Sequence, residues 1–227
     1  MATLLEVCVD SYASAMAAVR GGADRLELCS ALAVGGLTPS AALLRQIRRV
    51  SSIPIRCLMR PRGGDFLYTP EGIEQMAMEI RELHLAGADG FVIGCLTADG
   101  SLDREAMKPL LEAASGAGLT LHRCIDVSRD PVQTYRDAAE MGIDTVLTSG
   151  AAGNCVAGME TIRTLLTLRE EAQGPEVLIG AGVSAKVIER FRREGVPMGL
   201  PGLDEWHIQQ TDEAAIQAAR EILDSLC

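Results

Sequence analysis

The stretch Ala86–Gly94, AGADGFVIG, carries the signals that decide the fold. Its first residues suit a helix end, where a glycine lets the chain turn into the left-handed region. A short turn and an aspartate follow. The apolar run at 90–93 then has the length of a buried strand, and it stops at Gly94. The same order of glycine, turn, aspartate and strand returns as GGADRLEL at 21–28 and MGIDTVLTSG at 141–150. Such recurrence marks an internal repeat.

Working outward from these three copies, further apolar runs at 4–9, 55–60, 119–124 and 177–179 read as strands, with a weak eighth at 205–208. Helical patterns fill the intervals. Thr38-Pro39, Thr69-Pro70 and Asp130-Pro131 pair a capping side chain with a proline suited to the first helical turn. Ile73, Met76, Ala77, Ile80 and Leu83 then recur at helical spacing. Helices are also expected at 11–21, 41–50, 103–117, 158–172, 184–193 and 212–226. Alternating short apolar strands and helices imply a parallel sheet covered by helices. Eight such units in 227 residues predict an α/β fold, a (β/α)8 TIM barrel, as a single domain over 1–227. The competing open doubly wound sheet is disfavoured, because no GxGxxG follows the first strand.

Hydrophobic residues make up 48% and charged residues 23%, as in ordinary globular domains. A net charge of −10 argues against general binding of nucleic acid or an anionic membrane. No apolar run approaches the ~18 residues of a bilayer span. The N-terminal MATLLEVCVD does not have the pattern of a signal peptide. A cytoplasmic location is expected. Seven cysteines lie scattered with no CxxC or Cys/His zinc spacing, so they read as free thiols in a reducing compartment.

In a barrel of this kind the site is built where strands end and the following loops begin. The polar residues gather there. Strand one carries Glu6 and Cys8, strand two Glu27 and Cys29. The third strand runs into Arg60, Arg62 and Asp65. His122 and Asp126 follow the fifth, Ser149 and Gly150 the sixth, Gly180 and Gly182 the seventh, and His207 the eighth. Residues two apart on a strand share a face, which pairs Glu6 with Cys8 and Glu27 with Cys29. Glu6, Glu27, Arg60, His122, Asp126 and His207 are the catalytic candidates for acid–base work. Arg62, Asp65, Ser149, Gly150, Gly180 and Gly182 are the candidates for holding a small anionic ligand. The same residues also read as a charge network that satisfies itself, and the thiols as compact apolar residues.

Seven stretches then resemble one family. They are LEVCVDS (5–11), GGADRLELC (21–29), GGLTPS (35–40), MRPRGGDFLYT (59–69), HRCID (122–126), VLTSG (146–150) and IGAGVSA (179–185). Together they resemble the copper homeostasis protein CutC family through most of the chain. The resemblance implies a (β/α)8 barrel and a role in cytoplasmic copper homeostasis. It also implies copper, as Cu(I), held by Cys8 and Cys29. Soft thiolates suit that ion. The chain departs from the family pattern at Leu121, at Cys124-Ile125 and after His207, where Ile208-Gln209-Gln210 stand. Two other readings remain open beside copper binding: an enzyme acting on a small carboxylate or phosphate metabolite, and a non-catalytic partner-binding barrel. Barrels of this size often self-associate, and a homo-oligomer is expected.

Overall fold

The computed structural model describes residues 4–185, 187–188, 198–201 and 212–225. Eight parallel strands close into a barrel in chain order: β1 (Leu5–Val9), β2 (Arg25–Leu28), β3 (Ile55–Leu58), β4 (Gly90–Ile93), β5 (Gly118–Leu121), β6 (Thr145–Thr148), β7 (Glu176–Ile179) and β8 (Met198–Pro201). β8 pairs with β1, Leu5 opposite Met198 and Cys8 opposite Pro201, and so completes the ring. The helices are α1 (Tyr12–Arg20), α2 (Ala41–Arg48), α3 (Pro70–Leu85), α4 (Arg104–Ala113), α5 (Pro131–Glu140) and α6 (Met159–Ala172), with a C-terminal helix at Glu213–Ser225. Side chains of Ser11, Ser40, Thr69, Asp103 and Asp130 cap the first five of them. Among the described residues no helix is long and apolar enough to cross a membrane.

Strand alternation divides the interior in two. Leu5, Val7, Ile55, Phe91, Ile93 and Val146 face outward and join Leu44, Ile47, Met76 and Ile80 of the helices in one buried apolar layer. The opposite face lines the barrel. There Cys29, Leu58 and Val92 pack together with Cys8 and Leu32. Below them the lining is polar. Arg25 donates from Nε to Glu6, both being buried. Arg56 crosses the barrel from β3 and donates from Nη1 to Thr120 Oγ1 on β5 and, at 3.1 Å, to Thr145 Oγ1 on β6. A guanidinium drawn largely out of water is tolerated only when its donors find acceptors. Here they also include Asp144, 2.6 Å from Nη2.

The repeated aspartate has a defined task at the floor of the barrel. Asp24 accepts from the backbone N–H of Leu5 at 2.7 Å, Asp89 from that of Ile55 at 2.7 Å, and Asp144 from that of Leu119. Each therefore ties the start of its own strand to the start of the neighbouring one. Each also meets an arginine: Arg220 at Asp24, Arg48 at Asp89 and Arg56 at Asp144. The preceding glycines, Gly22, Gly87 and Gly142, have φ of 88°, 103° and 78°, the left-handed conformation that ends the helix.

Several boundaries differ from expectation: β3 stops at Leu58 and not at residue 60, α2 at Arg48 and not at residue 50, α4 at Ala113 and not at residue 117, and two further strands differ. The eighth strand lies at Met198–Pro201 and not at 205–208. MGLP has no β-branched residue, and its partners across the ring hold it extended. β5 ends at Leu121, because the chain then closes into a 3-10 turn over Arg123–Val127. Residues 205–208 themselves, with His207, lie outside the described residues.

Candidate functional site

The inward alternation of β1 and β2 places Cys8, Glu27 and Cys29 side by side, with Cys8 directly opposite Glu27 in the register. The two sulfurs are 3.6 Å apart. Cys8 Sγ lies 3.6 Å from Glu27 Oε2, and Cys29 Sγ 3.8 Å from Glu27 Oε1. One ligand atom from each residue fits within 4.8 Å of the others, the one such trio among the described residues. Both thiols are free. Cys29 and Glu27 are buried, whereas Cys8 is half-buried, so the mouth of the barrel is open to that depth.

Electrostatics keep the two thiols protonated in the absence of metal, while Glu27 is divided between its acid and carboxylate forms near pH 7. A hydrogen bond with Cys29 lowers the pKa of Cys8, but burial and the carboxylates of Glu27 and Glu6 outweigh it and push the thiol up to about 11. Cys29 is raised well above the usual thiol range by its hydrogen bond to Cys8 and by burial. Glu27 is pushed up to about 7, first by burial and then by the charge of Glu6. The donor set suits a soft monovalent ion. Two adjacent sulfurs supply the preferred ligands, and the carboxyl beside them receives a displaced proton.

Glu6 stands apart from the thiols. Its charge is met by Arg25, which sequence reading passed over. The signal was present, since Arg25 falls two residues before Glu27 and so shares its face. Arg56 was missed likewise, although it alternates with Leu58 and Arg60. Arg60 does not neutralise Glu6 or Glu27. Its Nη1 donates to the carbonyls of Val34 and Gly36 at 3.2 and 3.1 Å, and Nη2 to that of Gly64 at 2.9 Å. The guanidinium thus joins the loops after β2 and β3, with the Phe66 ring 5.3 Å away. Arg62 and Asp65 form an exposed pair within their own loop, 2.7 Å apart.

His122 follows β5 and is buried against Phe66, ring centroids 4.7 Å apart. A Cβ on residue 94 would come within 2.7 Å of His122 Nδ1, so Gly94 makes room for the ring. Nδ1 accepts from the Cys124 N–H at 3.2 Å, which leaves the hydrogen of the neutral ring on Nε2. Burial and the Arg60 charge push His122 down to about 3, so the ring is neutral near pH 7.

Asp126 fills the loop after β6. It accepts from the N–H groups of Ser149 at 3.0 Å and Ala151 at 3.1 Å, from the hydroxyls of Ser149 and Thr148, and from Arg123 Nε at 2.8 Å. That loop is an anion nest whose anion is the chain's own carboxylate. Ser149 and Gly150 therefore serve Asp126, Gly150 donating its N–H to Thr148 Oγ1. Gly180 and Gly182 lie after β7, where Gly180 continues the ladder to Thr148 and packs beside Leu147.

Comparison with known proteins agrees with the barrel fold. The CutC family model matches residues 3–199. A CutC family protein of Xanthomonas campestris pv. campestris is 44% identical over 188 residues, covering 83% of this chain and 78% of that protein. A human copper homeostasis protein cutC homolog is 42% identical over 189 residues, covering 83% and 68%. The crystal structure of CutC from Streptococcus agalactiae superposes with a TM-score of 0.81 at 27% identity, over 88% of this chain and 98% of that one. The chain belongs to the CutC family.

Proposed function

We propose that this protein binds Cu(I) as cargo through the thiolates of Cys8 and Cys29, as part of copper homeostasis in the cytoplasm. The observation that carries the reading is the pair of free sulfurs 3.6 Å apart inside the mouth of the barrel. Cu(I) favours such soft ligands over the oxygens and nitrogens around them. Family membership points the same way, since the human relative is named for copper homeostasis. Loading requires each thiol to give up its proton. Glu27, touching both sulfurs, is placed to take one and pass it to water through the half-buried Cys8 side. A reducing compartment keeps both sulfurs available.

Anaerobic titration with Cu(I) against a chromophoric chelator tests this. Wild type is expected to take one ion from the chelator, and the Cys8→Ser, Cys29→Ser double variant none. Binding by that variant as tight as wild type would end the proposal.

A further inference from the structure

Two buried donors at the same mouth stand apart from the sulfurs. Of the inward-facing arginines, Arg25 meets Glu6 and the half-buried Arg56 meets Asp144. Arg60 is 8% exposed and meets no carboxylate among the described residues, only the three loop carbonyls. Its Nε is buried and has no partner there. His122, 4% exposed, has its Nε2 in the same condition. The two groups share one wall, because Phe66 lies against both the imidazole and the guanidinium. Both orphaned atoms are N–H donors, one belonging to a cation. Buried donors of this kind seek an acceptor, and a buried cation a counter-charge.

We infer that the barrel mouth between the ends of β3 and β5 seats an oxyanion, the carboxylate or phosphate head of a small molecule, on Arg60 Nε–H and His122 Nε2–H. A metal cation is excluded, since both groups present hydrogens. A neutral carbonyl would satisfy the imidazole but leave the guanidinium without a counter-ion. At the same mouth Cys8 and the inward-facing Leu147 are half-exposed. Because the ring is neutral near pH 7, it contributes a directed hydrogen bond and Arg60 contributes the charge. The remaining Arg60 donors stay on the loops, so a bound anion stiffens the segments after β2 and β3.

The test is calorimetric titration of the full chain with acetate and, separately, inorganic phosphate at pH 7. One probe is expected to saturate a single site, and which one does so distinguishes a carboxylate from a phosphate ligand. His122→Leu and His122→Gln both lose the Nδ1 acceptor and the stacked ring, but Gln keeps an amide N–H near the position of Nε2. Affinity should fall about tenfold in His122→Leu, as expected for one charge-assisted hydrogen bond, and fall much less in His122→Gln. Arg104→Ala, which breaks exposed pairs between α4 and α5, controls for general anion binding and should bind as wild type does. In wild type the Nε2-bound proton of His122 should shift in the NMR spectrum on saturation. The inference is overturned if neither probe saturates, if the two His122 variants weaken equally, or if Arg104→Ala weakens as much as His122→Leu.

Discussion

Glu27 is the residue on which the acid–base behaviour of the thiol site turns. Its folded-state pKa of about 7 stands above the ordinary 4.5. Between those values the folded chain holds a proton that the unfolded chain has lost. The associated stability is complete below the lower value and is lost as pH rises through the upper one. Wild type should therefore lose up to about 3 kcal/mol between pH 5 and 8 through this group. Glu27→Gln removes that loss, so the difference between the two proteins in urea unfolding should open as pH rises. Parallel pH profiles would show that Glu27 is already ionised at pH 5. The thiols predict the opposite trend for metal. Since Cys8 and Cys29 are protonated throughout this range, Cu(I) affinity should rise with pH, by about tenfold per unit for each proton displaced. At this scale the sequence was informative where alternation alone decides. Cys8 and Cys29 each follow a glutamate by two residues, so each pair shares an inward face. That Glu27 joins the sulfurs while Glu6 joins Arg25 depends on the register between β1 and β2, which no single strand encodes.

At the scale of elements, the loop after β6 has the glycine and hydroxyl composition of an oxyanion site, and Asp126 from the preceding unit occupies it. Asp126→Ala removes the acceptor for two backbone N–H groups, two hydroxyls and Arg123. A cost of about 2–4 kcal/mol is expected in urea unfolding. Added sulfate should then stabilise the variant more than wild type, because the vacated nest offers the same donors to a free anion. Equal stabilisation of both would show that the loop collapses without its carboxylate. The element pattern also explains which boundaries were legible. β4 and β6 were placed correctly from short apolar runs framed by repeat signals. β8 was displaced because Met198–Pro201 contains a glycine and a proline, poor strand residues on their own. Its extended form comes from pairing with β1 across the closing seam. β5 was extended too far because His122 and Cys124 continue the apolar run, although Nδ1 of His122 turns back to cap the 3-10 turn.

The whole barrel rests on a floor made by the same residue used three times. Asp24, Asp89 and Asp144 tie β1 to β2, β3 to β4 and β5 to β6. This is why the repeat was readable before any strand order was known: the sequence unit is also the unit of the rim. The three ties are not equal. Asp24 and Asp89 meet Arg220 and Arg48 near the surface, and such half-exposed pairs add little beyond their backbone bond. Asp144 instead holds Arg56, whose side chain runs into the barrel with only 12% exposure. Replacing Asp24 or Asp89 by Ala should cost about 1 kcal/mol, the worth of the backbone bond. Asp144→Ala should cost about 2–3 kcal/mol, because it strands a guanidinium among Thr120 and Thr145. Adding Arg56→Met to Asp144→Ala should then recover part of the loss, since an apolar side chain needs no counter-ion. The ties belong to different strand pairs, so the three single costs should add. Urea unfolding of the three single variants, the triple variant and the Arg56→Met, Asp144→Ala pair decides it. Equal costs at all three aspartates, with no recovery on removing Arg56, would mean that the rim acts through its backbone bonds alone and that the charge crossing the barrel is held by the threonines.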